Sequence, residues 1–84
     1  MSKLRYLVTG GCGFIGNCLL RKLIPLENVE VLNIDKLTYA STEYIPEDKH
    51  LNKYKFKKID ISDEKNITKA IEEFKPNYII NLAA

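Results

Sequence analysis

The sequence predicts an α/β fold, a doubly wound parallel sheet built from βαβ units. Three observations predict it. Apolar runs of strand length alternate with segments of helical period, crossovers rather than hairpin turns join the strands, and all four glycines fall together between the first strand and the first helix. At 84 residues, 45% hydrophobic and 29% charged, the chain reads as one small globular unit with no room for a second. A formal net charge of +2 argues against nucleic acid or acidic lipid as the main partner. No apolar run reaches the roughly 18 residues that a membrane-spanning helix needs. The basic start Met1-Ser2-Lys3-Leu4-Arg5 runs directly into a strand with no small-residue cleavage site, so a cytoplasmic location is expected. Cys12 and Cys18 have no second cysteine pair and no nearby histidine, which fits neither a zinc site nor a disulfide framework.

Leu4 to Thr9 is a short apolar run ending at the glycines, hence a first strand, largely buried. From Phe14 the period changes: Ile15, Cys18, Leu19, Leu20, Leu23 and Ile24 fall at helical spacing, with Asn17, Arg21 and Lys22 to the other side. Pro25 disfavours helical geometry at Ile24, so the helix ends near there. Val29 to Asp35, β-branched and apolar, is a second strand. Lys36 to Lys53 is polar and irregular, with room for a turn of helix after Ser41 or Thr42. Tyr54 to Ile61 opens with aromatic/basic alternation, the pattern of a half-exposed edge strand. Ser62 or Asp63 can cap a helix whose apolar positions are Ile67, Ala70, Ile71 and Phe74, and Pro76 marks its end. Tyr78 to Ala84 is a fourth strand, with Tyr78 to Leu82 expected as an exposed apolar edge.

The chemistry-bearing segment is Thr9-Gly10-Gly11-Cys12-Gly13-Phe14-Ile15-Gly16. A dinucleotide pyrophosphate needs bare backbone at close range, together with the unpaired amides and partial positive charge of a helix N-terminus. Gly10, Gly13 and Gly16 meet that need at spacing G-x-x-G-x-x-G, and strand, glycines and helix come in the required order. A glycine-rich turn serving only close helix–strand packing explains Gly16 but not four glycines together. No Gly-Lys-Ser/Thr follows, which excludes a P-loop. The segment is therefore the fingerprint of a Rossmann-type dinucleotide-binding fold, of which residues 1–84 read as the N-terminal part.

Asp35 ends the second strand 19 residues after Gly16, where the fingerprint expects a carboxylate that accepts hydrogen bonds from the adenosine ribose. It would repel a 2′-phosphate, favouring NAD over NADP, a preference that the neighbouring Lys36 weakens slightly. Asp60 and Ile61 follow the third strand at the same carboxyl edge. They either reach the adenine, Asp60 to its amino group and Ile61 against its ring, or simply end the strand and cap the next helix. Phe14 and Ile15 either pack near the cofactor or belong to the helix core, and Cys18 is expected in the core. Cys12 has no accompanying base, so it is expected to be structural rather than nucleophilic. Lys49, Lys53, Lys55, Lys57 and Lys58 cluster around Tyr54 and Phe56, yet acidic residues balance them nearby, and a solvated edge strand explains them better than nucleic-acid binding. Tyr54-x-x-x-Lys58 matches the spacing of a dehydrogenase Tyr/Lys pair. On a strand, however, those residues stand roughly 13 Å apart rather than about 6 Å as on a helix.

Thr9 to Asn17, Asp35-Lys36-Leu37-Thr38-Tyr39-Ala40, Asp60-Ile61 and Asn81-Leu82-Ala83-Ala84 together resemble the extended short-chain dehydrogenase/reductases. The Asp35 to Ala40 string is most similar to that of their nucleotide-sugar 4,6-dehydratases. The resemblance implies that the Phe14-Ile15 backbone, Asp35, Lys36, Leu37, Thr38, Asp60, Ile61, Leu82, Ala83 and Ala84 line an NAD site. It implies an enzyme that oxidises a nucleotide-linked hexose at C4, eliminates water across C5–C6 and returns the hydride to C6, commonly as a homodimer. Cys12 stands where the family usually has Ala, and Asn81 where it often has His. The family's Tyr-x-x-x-Lys pair and dehydrating acid/base residues lie beyond position 84, so no catalytic residue is expected within this chain, which is expected to be inactive alone. A non-catalytic nucleotide-binding or interaction module and a fragment of a sibling epimerase are the competing readings.

Overall fold

The computed structural model describes residues 3–37 and 46–82. In order these form β1 (Leu4–Thr9), α1 (Phe14–Leu23), β2 (Val29–Asp35), a 3-10 helix (Asp48–Lys53), β3 (Tyr54–Lys58), α2 (Glu64–Phe74) and β4 (Tyr78–Asn81). The possible helical turn after Ser41 or Thr42 lies outside the described residues. All strand pairs are parallel and the sheet order is β3-β2-β1-β4. The chain thus steps outward from β1 to β3, then returns to place β4 on the other side of β1. This reversal puts a topological switch point between β1 and β4, where open α/β sheets bind ligands beyond the carboxyl ends of their strands.

Strand alternation divides the apolar residues between two cores. On one face Val8, Val29 and Val31 pack with Leu20, Leu23 and Ile24 of the α1 unit. On the other, Leu7, Leu32 and Ile34 pack with Ala70 of α2, flanked by Ile67, Ile71 and Phe74. Both β1 and β2 therefore have apolar residues at successive positions, because each is covered on both sides. Burial of β1 is confined to its carboxyl half, Leu7 to Thr9, rather than extending through the strand.

The buried stripe of α1 is narrower than its apolar pattern. Gly16, Leu20 and Leu23 face the sheet, whereas Ile15 is 69% exposed and Cys18 is exposed instead of lying in the core. At about 100° per residue, both stand well round the helix from Gly16, which packs against the Gly10–Gly11 backbone. Ile24 retains right-handed helical geometry (φ −61°, ψ −38°) despite the following proline, and its N–H still donates to the Leu20 carbonyl. The helix thus ends at Leu23 with Ile24 as its C-cap, next to Pro25 as expected. Lys53 covers this end: its Nζ donates to the Ile24 and Leu26 carbonyls, each at 2.6 Å, as a cation does at a helix C-terminus.

The 3-10 helix buries no residue, so it leaves no apolar period to read. β3 lies at the sheet edge, as its alternation predicts, but stops at Lys58 rather than Ile61, because Asp60 turns the backbone by accepting from the Ser62 N–H at 2.9 Å. α2 is capped by Asp63, whose Oδ1 accepts from the Asn66 N–H at 3.2 Å, and it ends at Lys75 in a left-handed conformation (φ 53°) just before Pro76. β4 is the opposite edge. Tyr78 stacks on Tyr6 with ring centroids 5.0 Å apart, while Tyr78 and Ile79 remain more than half exposed.

Truncating Leu20 to Ala should cost about 3 kcal/mol in urea unfolding, since the side chain is fully buried. Ile15→Ala, on the exposed side of the same helix, should change stability by less than about 0.5 kcal/mol.

Candidate functional site

The loop from Gly10 to Gly13 connects β1 to α1 at the carboxyl edge, and its backbone amides turn inward. Gly10 N donates to the Ile34 carbonyl (2.8 Å), Gly11 N to Asn33 Oδ1 (3.0 Å), Cys12 N to Asp35 Oδ2 (3.0 Å) and Gly13 N to the Gly10 carbonyl (3.2 Å). Asn17 fastens the carbonyl side: its Nδ2 donates to the Gly11 and Gly13 oxygens at 3.3 and 3.1 Å. With the loop amides engaged, the donors left for an external ligand are those of Phe14, Ile15 and Gly16, the first helical residues, which no intrahelical acceptor reaches. Gly13 at the N-cap provides no side-chain cap, the first turn of α1 has no acidic residue, and Arg21 and Lys22 sit in its last turn. The N-terminal end of the helix dipole therefore faces outward uncompensated, the arrangement that attracts an anion.

The glycines are bare for different reasons. Gly10 has φ 80°, a left-handed conformation that side chains disfavour. A Cβ on Gly16 would collide with the Gly10 carbonyl oxygen and the Gly11 Cα, and one on Gly11 would strike the Asn33 side-chain amide. Gly13 is different. Its backbone is ordinary extended chain (φ −77°, ψ 176°), and a Cβ there would meet only the Gly10 oxygen at 3.5 Å, an ordinary contact. No internal packing requires glycine at position 13, so its bareness suits a ligand approaching from outside.

Asp35 is held against this loop. One carboxylate oxygen accepts from Cys12 N, and the other from Leu37 N at 2.9 Å, with Leu37 in a left-handed conformation (φ 53°). An ionised carboxylate has about four acceptor positions, so lone pairs remain for a polyol. Lys36 is exposed beside it. Asp60 and Ile61 lie beyond β3, both exposed. The Ser62 N–H and then the Ser62 hydroxyl, at 2.9 and 2.8 Å, hold the Asp60 carboxyl below the usual carboxylate range, with a smaller contribution from the positive charge of Lys36. The ends of β2 and β3 share one neighbourhood because the strands pair side by side, with Asp35 opposite Lys58 and the Ile59 N–H donating to the Asp35 carbonyl at 3.2 Å. Leu82, beyond β4, donates its N–H to the Thr9 carbonyl at 2.8 Å, and the Thr9 hydroxyl donates to Asn81 Oδ1. The described candidates Gly10, Gly13, Phe14, Ile15, Gly16, Asp35, Lys36, Leu37, Asp60, Ile61 and Leu82 thus share the carboxyl edge, with Phe14 and Ile15 exposed rather than in the helix core. Thr38, Ala83 and Ala84 lie outside the described residues.

Asn33 was not legible as part of this neighbourhood. It is fully buried within an apolar strand, and besides accepting from Gly11 it donates Nδ2 to the Tyr54 hydroxyl (3.1 Å) and to Cys12 Sγ (3.5 Å). Its one sequence signal is a polar residue at an inward position of β2. Cys12 is buried and lies in this network, in keeping with a structural role. Tyr54 and Lys58 are the two ends of strand β3, so they do not form the helical pair that their spacing resembles. The basic cluster is dispersed as well. Lys53 serves the end of α1, Lys57 pairs with Glu73 at 3.3 Å and Lys49 with Glu47 at 3.6 Å, while strand alternation puts Lys55 and Lys57 on the sheet face opposite to Tyr54 and Phe56. Among the described residues no cluster of three or more His, Cys, Asp or Glu could hold a metal ion, and no helix is long and apolar enough to cross a membrane.

A parallel sheet with its glycine loop at the switch point, an open helix N-terminus and an acidic residue at the end of β2 defines a dinucleotide-binding α/β protein. The GDP-mannose 4,6 dehydratase family matches residues 7–84, and the chain belongs to that family. The probable dTDP-glucose 4,6-dehydratase of Sinorhizobium fredii is 49% identical over 82 residues, covering 96% of this chain and 23% of that protein. The dTDP-glucose 4,6-dehydratase of Salmonella typhimurium is 40% identical over the same length and coverage. Among solved structures, that of dTDP-glucose 4,6-dehydratase from Bacillus anthracis in complex with NAD superposes with a TM-score of 0.79 at 28% identity, over 96% of this chain and 27% of that one. UDP-glucose 4-epimerase from Thermotoga maritima, with UDP-glucose, gives 0.76 at 30% identity, over 96% and 24%. The chain spans about a quarter of the length of these relatives.

Gly16→Ala should destabilise the fold by about 2 kcal/mol in denaturant titration, because backbone atoms receive the new methyl. Gly13→Ala should stay within about 0.5 kcal/mol of the parent. Ser62→Ala should raise the Asp60 pKa, followed by the NMR shift of its carboxyl carbon. Because folding lowers this pKa, the associated stabilisation is complete at neutral pH and fades as pH falls through the lowered value.

Proposed function

We propose that this chain binds the adenosine and pyrophosphate portions of NAD, as the dinucleotide-binding part of an enzyme that converts dTDP-glucose to dTDP-4-keto-6-deoxyglucose. The observation that carries the reading is the unobstructed backbone at Gly13, directly before an uncapped helix N-terminus. The residues present fit the cofactor: amides of Phe14 and Ile15 meet the pyrophosphate, and Gly10 and Gly16 give the loop its shape. Asp35 accepts from the ribose hydroxyls through its remaining lone pairs, and its charge disfavours a 2′-phosphate. Lys36 and Leu37 border the adenosine, Asp60 and Ile61 stand on the adenine side, and Leu82 lines the site across the switch point.

When bound, NAD supplies the hydride acceptor for sugar oxidation. The chain's own contribution is to fix the phosphates, orient the ribose and keep side chains out of the crevice. The names of the 49% and 40% identical relatives support dTDP-glucose as the sugar nucleotide, and the NAD complex of the Bacillus anthracis structure supports the cofactor.

Titration calorimetry should show heat of binding with NAD and ADP-ribose, and affinity for NADP weaker by about tenfold or more, since a phosphate beside the Asp35 carboxylate is repelled. Gly13→Val should abolish detectable NAD binding while the protein stays folded. Absence of heat with all three ligands would contradict the proposal and leave an interaction module.

A further inference from the structure

We infer that Asn33 is a positioning residue for the phosphate-binding loop, anchored in turn by the Tyr54 hydroxyl of the edge strand. This rests on the dinucleotide reading above and extends it to residues that meet no ligand. The geometry is a relay across three elements. Tyr54 opens β3, pairs in register with Val31, and accepts from Asn33 Nδ2 at 3.1 Å. Asn33 Oδ1 accepts from Gly11 N at 3.0 Å, and Asn33 Nδ2 also reaches Cys12 Sγ at 3.5 Å.

One side-chain amide thus contacts two successive loop residues, the first by its backbone and the second by its side chain. With Gly11 N–H turned inward to Asn33, the Cys12 N–H meets Asp35, which couples the loop to the carboxylate assigned to the ribose. An apolar residue in place of Asn33 would leave a buried Gly11 N–H without its acceptor, and the loop would rearrange to satisfy it. Such a rearrangement changes where α1 begins, and so where its open amides point.

The sterics agree with the hydrogen bonding. A Cβ at Gly11 would overlap the Asn33 amide, so the asparagine at 33 requires glycine at 11. Gly11 and Asn33 are both buried. Tyr54, whose spacing to Lys58 matches a dehydrogenase pair but whose place on a strand excludes one, acts through its hydroxyl on Asn33.

Two measurements on Asn33→Leu and Tyr54→Phe test the relay, the second variant keeping the packing of the ring. In the ligand-free protein, NMR hydrogen exchange at the Gly11 amide should quicken by about tenfold or more in Asn33→Leu, and by a smaller factor in Tyr54→Phe. Calorimetry well below the melting temperature should show NAD affinity falling by about tenfold and about threefold respectively, although neither side chain touches the ligand. A general loss of stability would instead speed exchange throughout the core and leave the affinity of folded molecules unchanged. Parent protein that binds NAD, with both variants folded and binding equally well, overturns the relay and leaves the cofactor reading intact. If Asn33→Leu does not fold, an unchanged affinity and unchanged Gly11 exchange in Tyr54→Phe overturn it. Parent protein that fails to bind NAD removes both.

Discussion

The direction of four consecutive amide N–H groups governs the carboxyl edge of this protein. From Gly10 to Gly13 they point into the structure, toward the Ile34 carbonyl, the Asn33 amide, the Asp35 carboxylate and the Gly10 carbonyl. With the loop donors engaged by β2 and the Gly10 carbonyl, the next donors along the chain belong to a helix whose first turn is free of side-chain caps and acids. Anion attraction is thereby concentrated at one helix end rather than spread along a flexible loop. Asp35 has two parts in this arrangement: one carboxylate oxygen secures Cys12 and the other secures Leu37.

The fold exists to present that edge. Covering the sheet on both faces, with α1 over Val8 and Val31 and α2 over Leu7 and Leu32, fixes β1 and β2 so that their ends, and the loop between them, share one frame. The return of the chain to place β4 beside β1 opens the crevice, with Thr9 and Asn81 joined across it. Lys53 and Tyr54, adjacent in sequence, act at opposite ends of the α1 unit. Lys53 holds the carbonyls at its C-terminal end, and Tyr54 acts through Asn33 on the loop before its N-terminal end.

Much of this could be read from the residues. The four strands and two helices follow from periodicity, Asp63 and Pro76 bound α2 as their chemistry requires, and the edge position of β3 follows from its lysine alternation. The glycine spacing and Asp35 point to the carboxyl edge, and the structure brings both together there, with Asp35 accepting from the loop amide of Cys12. The exposure of Ile15 and Cys18 was not legible, because the buried stripe of α1 begins at Gly16, which a hydrophobic pattern does not register. Asn33, Lys53 and the 3-10 helix escaped for a related reason. Their roles depend on partners distant in sequence, or on a local turn that buries nothing, and neither leaves a period along the chain.

The most direct test of the site is an amide NMR titration of the protein with NAD. Donation to the pyrophosphate from the helix end predicts the largest shifts at Phe14, Ile15 and Gly16, with smaller ones at Gly10 to Cys12, whose N–H groups are already engaged. Shifts centred elsewhere, such as on Lys55 and Lys57 on the α2 face of the sheet, or saturating NAD that leaves the α1 amides unmoved, would contradict it.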